Sequence, residues 1–346
     1  MRIILKKIYL IRANKTRFGG AEKYLSRMSS SMNAMNIDHK VVNSPFPKFF
    51  PSWLRLILFN IFICFLKRKK LYFSLDRIVC PDIYRAGDGV HKVFLTKVKK
   101  SRLNPLHFFY LYIEKKCFQN AKHIIANSNM VKKEIIDAVG INENKISVIY
   151  NGIELNILKN NNSQKILRRE FNLDEKKVFL FVGSGFERKG AKEFITIIGS
   201  IEETVNAFIV GYDKNIKQYE NLAKLIAPHQ NIIFTGARED VDDFYQLSDF
   251  YILPTYYEPF SNTVLEAMNN KCAVFTTNAN GASEILDEKF IMKTPTDFGI
   301  LEFISYLLSS PEELCKIKEK NYNSVKNFSI ENNLNKTLEV INEYSC

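Results

Sequence analysis

The sequence predicts an α/β protein built as two consecutive strand-and-helix series. Three observations lead there. Short apolar runs such as Val178–Val182 and Phe250–Leu253 alternate with longer amphipathic stretches, as in buried parallel strands covered by helices. Glycine-containing turns follow several of these runs, where open α/β sheets bind ligands. An Asn-rich stretch at 156–163 reads as an exposed linker, and the 346 residues are enough for two ordinary domains.

The apolar share of 46% suits a packed protein and excludes a disordered chain. A net charge of +12 points to an acidic partner, with nucleic acid and an anionic membrane as the two candidates. The six cysteines are scattered, without CxxC spacing or a neighbouring His cluster. They read as reduced cytosolic thiols, with no zinc site. The N-terminal apolar run is too short for a signal peptide, and the longest apolar block, 53–66, is too short to span a bilayer.

In the first half, residues 3–11 form the first expected strand. A turn containing Gly19 and Gly20 follows, then a helix from Ala21 to about Met35. Glycines there let backbone amides approach a phosphate closely. His39–Val42 is a second strand. Residues 53–70 read as an apolar helix ending in Lys67, Arg68, Lys69 and Lys70. A buried crossover helix with a cationic C-terminus fits it best, and a membrane-surface helix is the alternative. A strand over 77–81 leads to a glycine-rich loop carrying Asp88 and His91, residue types suited to a site and poorly suited to a core. An Asp-Gly turn with a solvent-facing His is the bland alternative. The basic and aromatic stretch 92–116 follows, partly on a helix over Pro105–Asn120. Either an anionic acceptor or lipid headgroups would suit it, as would a plain solvated face. A strand at 124–128, a helix at 130–139, a strand at 146–149 and an Asn151-Gly152 turn complete the half.

The second half opens with the strand Val178–Val182, a glycine turn over 183–190 and a helix over 191–200. The turn matches neither a Walker A loop nor a dinucleotide fingerprint. It does set Arg188 and Lys189 at a helix start, where cations oppose the dipole unless a multiply charged anion is present. Strands at 207–210 and 232–235 alternate with a helix at 215–225. Asp240 and Asp242 precede and open a helix at Val241–Leu247, where acids suit the dipole, so a metal pair is not expected. After Phe250–Leu253 comes the central stretch of the chain, Glu258 to Glu266, with Ser261, Asn262 and Thr263 at the start of a helix running to about Asn270. Amides at such a start attract phosphate, and carboxylates beside it accept hydroxyl groups. A capping box formed by Thr263 and Glu266 is the competing reading. Ala273–Thr277 is the next strand, 278–284 a loop able to close over a ligand, and 300–346 is helical. The expected domains are 1–160 and 161–325, with 326–346 returning to pack on the first.

These motifs together resemble the GT-B fold, retaining glycosyltransferases of family four, over nearly the whole chain. The most specific is E-x7-E, here Glu258 and Glu266. Supporting it are Phe18 to Glu22, Arg85 to His91, Ile149 to Gly152, Val182 to Gly190 and Gly281 to Ile285. Within the family the chain is similar to lipopolysaccharide core α-glucosyltransferases. The resemblance implies two Rossmann-like domains facing across a cleft and a nucleotide-sugar, UDP-glucose by best guess, bound mainly to the second. It implies that Arg188 and Lys189 hold the diphosphate, helped by Gly19 and Gly20. Glu266 takes the ribose hydroxyls. Glu258 and the amides of Phe260, Ser261 and Asn262 meet sugar and phosphate. Asp88 and His91 position the acceptor hydroxyl or steady charge. No metal and no cofactor are expected, because cations and helix dipoles stabilise the leaving group. The acceptor would be a saccharide, free or lipid-linked, with no nucleic acid. The enzyme would be cytoplasmic, peripheral on the inner face of the membrane. A nucleotide-sugar epimerase of the same fold is one rival. A non-catalytic basic module for lipid or nucleic acid is another; it accounts for the charge but leaves the two glutamates and the glycine loops idle.

Overall fold

The structure is a computed structural model describing residues 7–14, 20–47, 49–98, 105–155 and 162–344. It divides into two compact units, Met1–Gly152 with Ile330–Cys346, and Ile153–Ser329.

Among the described residues of the first unit the order is β1 (Ile8–Ile11), α1 (Gly20–Ala34), β2 (His39–Val42), α2 (Ser52–Lys67), β3 (Leu71–Ser74), β4 (Ile83–Ala86), α3 (His91–Lys97), α4 (Pro105–Asn120), β5 (His123–Ala126), α5 (Asn129–Val139) and β6 (Ile146–Val148). The strands form one parallel six-stranded sheet, β2-β1-β3-β4-β5-β6. Chain order reverses at β1, so the switch point lies between the ends of β1 and β3, where doubly wound sheets present their ligand crevice. β3, β4 and β5 are buried along their whole length, as a sheet covered on both faces requires.

The second unit continues with α6 (Asn162–Glu170), β7 (Val178–Val182), α7 (Phe186–Lys189), α8 (Ala191–Gly199), β8 (Asn206–Val210), α9 (Ile216–Ile226), β9 (Asn231–Gly236), α10 (Val241–Leu247), β10 (Phe250–Leu253), α11 (Asn262–Asn269), β11 (Ala273–Thr277), β12 (Ile291–Met292), α12 (Ile300–Ser309) and α13 (Pro311–Val325). Its sheet runs β12-β11-β10-β7-β8-β9, again parallel, with the reversal at β7. Helix α14 (Ile330–Glu343) belongs to the first unit. Its Leu334, Leu338 and Ile341 join Tyr24, Met28 and Met32 of α1 in one core.

Four sequence expectations need correction. The strand expected at 77–81 is a loop, and the strands lie on either side of it. Leu71–Ser74 follows the Lys67–Lys70 run so closely that it reads as the tail of a helix. The Arg188 turn contains a helix of its own, α7. The segment over 278–284 is not a free loop. Asn280 and Ala282 are fully buried, and Gly281–Ile285 is a 3-10 turn capped by the Asn280 side chain. Cys64 and Cys80 are joined, with Cα atoms 5.9 Å apart. The end of α2 lies beside the loop after β3, which brings together thiols that no short spacing announces.

Candidate active site

In the second unit the loops after β7 and β10 share the switch point, because these two strands are neighbours. Past β7 the backbone passes through left-handed Gly185 (φ 75°) and Gly190 (φ 78°), which bracket α7. A Cβ on Gly190 would stand 1.9 Å from the Pro254 carbonyl oxygen. Glycine therefore lets α7 press against the loop after β10. The Arg188 carbonyl seals the contact, accepting from the Tyr256 N–H at 2.9 Å and the Thr255 hydroxyl at 3.0 Å.

This closeness brings three predicted residues together. Oε2 of Glu258 lies 2.6 Å from Arg188 Nη1 and 2.8 Å from Lys189 Nζ. Arg188 also donates to the Tyr257 carbonyl at 2.8 Å. Burial alone would raise the Glu258 carboxyl, but Lys189 and Arg188 outweigh it and hold it at about 2. Glu258 is thus ionised at neutral pH, and two cations face one carboxylate. A guanidinium offers five N–H donors and an ammonium three, more than one carboxylate oxygen can accept. The cluster can therefore bind a further anion without losing Glu258. The Glu258 backbone is clamped from the 3-10 side: its N–H donates to Ala279 and its carbonyl accepts from Gly281, both at 2.9 Å.

The start of α11 is arranged differently from its sequence expectation. The N-cap is Ser261, so Thr263 is already inside the helix and Glu266 lies beyond its first turn, out of place for a capping box. The Ser261 hydroxyl bonds Thr263 at 2.6 Å, and Tyr251 donates to Thr263 at 2.6 Å. The Ser261 N–H donates to Asn280 Oδ1 at 3.2 Å, so this amide is engaged internally instead of facing a ligand. Phe260 is buried, while Asn262 is partly exposed at the first helical position. The fully buried Tyr245 donates from its hydroxyl to Glu266 Oε2 at 3.2 Å. Burial and the Glu266 charge raise that phenol well above its ordinary range, which keeps it a donor.

The first unit holds Asp88 on the turn between β4 and α3, and His91 at the first position of α3. Gly19 lies outside the described residues; Gly20 opens α1. Asp88 is exposed. The loop beneath it is held by Arg77, whose Nη2 donates to the Gly89 carbonyl at 2.8 Å and whose Nε meets Glu114 at 2.8 Å. Glu114 also accepts from the His91 N–H at 2.7 Å, at the N-terminus of α3. The His91 ring bonds His107 at 3.0 Å. Burial first, then the charges of Arg77 and His107, lower the His91 imidazole to about 4, so it is neutral at pH 7. At the first unit's switch point Arg12 pairs with Asp76 at 2.6 Å and Glu22 at 2.9 Å, while the Ala13 N–H donates to Asp76. Burial raises the Asp76 carboxyl, although the Arg12 charge and the Ala13 hydrogen bond pull it down.

Sequence reasoning did not single out Arg77, Glu114, Arg12, Asp76, Tyr245 or Asn280. Glu114 carried a signal, as the one acid within the basic helix α4. The others depend on strand neighbours. Asp240, expected to serve its helix, is turned to Arg238 at 2.8 and 2.7 Å. Among the described residues no group of three or more His, Cys, Asp or Glu side chains gathers as a metal site.

Comparison with known proteins adds family and fold. Residues 163–324 match the family described as Glycosyl transferases group 1, and residues 84–157 match Glycosyltransferase Family 4. The lipopolysaccharide glucosyltransferase WaaG of Escherichia coli is 32% identical over 125 residues, 35% of this chain and 33% of that protein. An N,N'-diacetylbacillosaminyl-diphospho-undecaprenol alpha-1,3-N-acetylgalactosaminyltransferase of Campylobacter jejuni is 28% identical over 190 residues, 52% of this chain and 50% of that protein. The chain spans about half the length of the curated relatives it matches. In structure, WaaG gives a TM-score of 0.81 at 19% identity, covering 96% of this chain and 99% of the other. Anabaena Alr3699/HepE in complex with UDP-glucose gives 0.77 at 15%, covering 97% and 99%. At these identities the likeness shows the fold, which is GT-B.

Proposed function

The chain belongs to the group 1 glycosyl transferases, and from that premise we propose that it is a retaining, metal-independent hexosyltransferase. The donor would be a nucleotide diphosphate sugar, UDP-glucose first, and the acceptor a saccharide of the lipopolysaccharide core. The observation that carries this reading is the Glu258 carboxylate held between Arg188 and Lys189 at the second unit's switch point. The HepE structures with UDP and UDP-glucose, and the WaaG relative, supply the choice of donor and acceptor.

The chemistry follows from the charges. As the sugar C1–O bond to diphosphate breaks, negative charge grows on the leaving oxygen and positive charge on the ring. Arg188 and Lys189 meet the first, doing the work a divalent cation does elsewhere. Glu258, ionised beside them, accepts sugar hydroxyls and favours the oxocarbenium-like ring. Glu266, oriented by Tyr245, accepts the ribose hydroxyls, and the amides of Phe260 and Asn262 complete the donor site. The acceptor hydroxyl attacks from the leaving-group face and passes its proton to the diphosphate. Asp88 and His91 hold the acceptor, with His91 neutral and able to accept or donate one hydrogen bond. The enzyme would work peripherally at the inner face of the cytoplasmic membrane. No helix among the described residues is long and apolar enough to cross a membrane.

A thermal-shift screen of UDP-, GDP- and ADP-sugars tests the donor, with UDP-glucose expected to raise the melting temperature most. Transfer activity should survive EDTA. Activity lost to EDTA and restored by magnesium would remove the metal-independent scheme. An epimerase would instead convert the UDP-sugar without any acceptor.

A further inference from the structure

The buried arginines of the first unit differ in how their charge is met. Arg77 pairs with Glu114, and Arg12 with Asp76 and Glu22. Arg85, the third residue of β4, is 5% exposed, and among the described residues no carboxylate pairs with it. Its Nη2 donates to Asn151 Oδ1. Its guanidinium carbon lies over the Tyr24 ring, 3.8 Å from the centroid. A ring face and an amide solvate a cation without neutralising it. Arg85 Nε has no hydrogen-bond partner at all. A buried charge in this state costs stability until something supplies the opposite charge.

Two further buried polar atoms around it lack partners. One is the hydroxyl of Tyr24, a residue 6% exposed. The other is Oδ1 of Asn127, a residue 1% exposed whose Nδ2 donates to the Gly87 carbonyl at 3.0 Å. Gly87 leaves room for the guanidinium, since a Cβ there would stand 2.5 Å from Arg85 Nη1. Arg85 and Asn127 stand at the carboxyl ends of neighbouring strands, β4 and β5, where open parallel sheets take their ligands. Gly87 and Asn151 are half-buried, so the cluster meets the surface beside them. The three unpaired atoms ask for different partners. The Arg85 Nε–H and the Tyr24 hydroxyl can donate, which suits an anionic oxygen, and Asn127 Oδ1 accepts, which suits a hydroxyl. An acidic sugar carries both. A neutral sugar would leave Arg85 unmet, and an inorganic anion would leave Asn127 unmet.

We propose that Arg85, Tyr24 and Asn127 form a site for an acidic sugar, which selects an acceptor bearing a phosphate or a carboxylate. Arg85 and Tyr24 hold the acid, and Asn127 accepts from a hydroxyl of the same sugar. This rests on the reading that the chain is a glycosyltransferase whose first unit takes the saccharide, and it names the acceptor's class and the residues that read it.

Calorimetry with glucose 6-phosphate, glucuronate and glucose tests it, with no nucleotide-sugar present. Wild type should bind one of the two acids roughly tenfold or more tighter than glucose, and the tighter acid says whether the site takes phosphate or carboxylate. Arg85→Gln should weaken that binding roughly ten- to a hundredfold. Arg188→Ala should leave it unchanged, which separates this site from the cations of the second unit. Tyr24→Phe keeps the test decisive should Arg85→Gln fail to fold. It removes a buried hydroxyl that has no partner, so it should melt no lower than wild type, yet bind the acid roughly tenfold more weakly. Glucose binding as tightly as both acids overturns the proposal. So does a Tyr24→Phe or folded Arg85→Gln chain that binds the acid like wild type, or acid binding that Arg188→Ala abolishes. UDP-glucose separates the two readings. If it binds while the acids do not discriminate, only the acidic-sugar site is lost; if acid binding depends on Arg85 but no nucleotide-sugar binds, only the glycosyltransferase reading is lost.

Discussion

In the second unit two cations converge on one ionised carboxylate, whereas in the first Arg77 and Arg12 are each closed off by acids within reach. Arg188 and Lys189 share Glu258 and leave donor capacity over. Arg77 is matched by Glu114, and Arg12 by Asp76 and Glu22. The first pattern suits a site awaiting an anion. The second is a scaffold: its charges hold a turn in place, and the exposed Asp88 sits on what they hold. The contrast separates residues that should move kinetics from residues that should move stability.

The largest effect on turnover is expected where the cations are. Arg188→Ala or Lys189→Ala should lower kcat by roughly 10²–10³, with the donor KM changing less, because charge on the diphosphate grows toward the transition state. Single-turnover kinetics with the nucleotide-sugar would show this. A variant that lost donor affinity but kept turnover would reduce the cluster to a ground-state anchor.

Glu114→Gln should act on the other side of the comparison. It leaves the Arg77 guanidinium buried without its counter-charge, a loss on the order of 3–5 kcal/mol in denaturant unfolding. Activity of the folded fraction should persist. Equal stability of variant and wild type would show that the Arg77–Glu114 pair does not hold the Asp88 turn.

Glu266→Ala tests a smaller quantity. A charge-assisted hydrogen bond to the ribose is worth roughly 1.5–3 kcal/mol of donor binding by calorimetry. Tyr245→Phe, which removes only the hydroxyl that orients Glu266, should cost about 0.5–1.5 kcal/mol. A Glu266→Ala chain that binds the donor normally would return Glu266 to a purely local role on its helix.

The same contrast explains what could be read from the chain. Glu258, Glu266, Arg188 and Lys189 stand on glycine turns and a helix start that local residue types announce. The α4 bounds and several second-unit strands, Val178–Val182 among them, were legible from apolar runs with clear ends. The pairing of Arg188 with Glu258 was not, because it spans the sequence between two strands whose adjacency only the sheet order decides. Asp76 was missed for a related reason. Its place at a switch point depends on β3, whose four residues follow a lysine run without a turn signal. The Tyr245 contact and the Asn280 clamp likewise link elements whose register the chain does not state.

A further effect concerns pH. Burial, with Arg77 and His107, holds His91 at about 4 against an ordinary 6.5; Tyr110 lies against the ring and Glu114 accepts from its backbone N–H. The folded chain therefore resists a proton that the unfolded chain accepts. The resulting stability is fully present above about pH 6.5 and is lost as pH falls toward 4. Solvent reaches part of the ring, so the contribution is about 1–2 kcal/mol and not the full value of the shift. His91→Gln should flatten the stability profile between these limits. It should not abolish the slope, because burial lowers His123 as well. Denaturant unfolding at pH 7, 6, 5 and 4 measures both chains. If His91→Gln lost stability with acid as steeply as wild type, the slope would belong to His123 and other groups. His91 would then be no more buried against Arg77 in solution than a surface histidine.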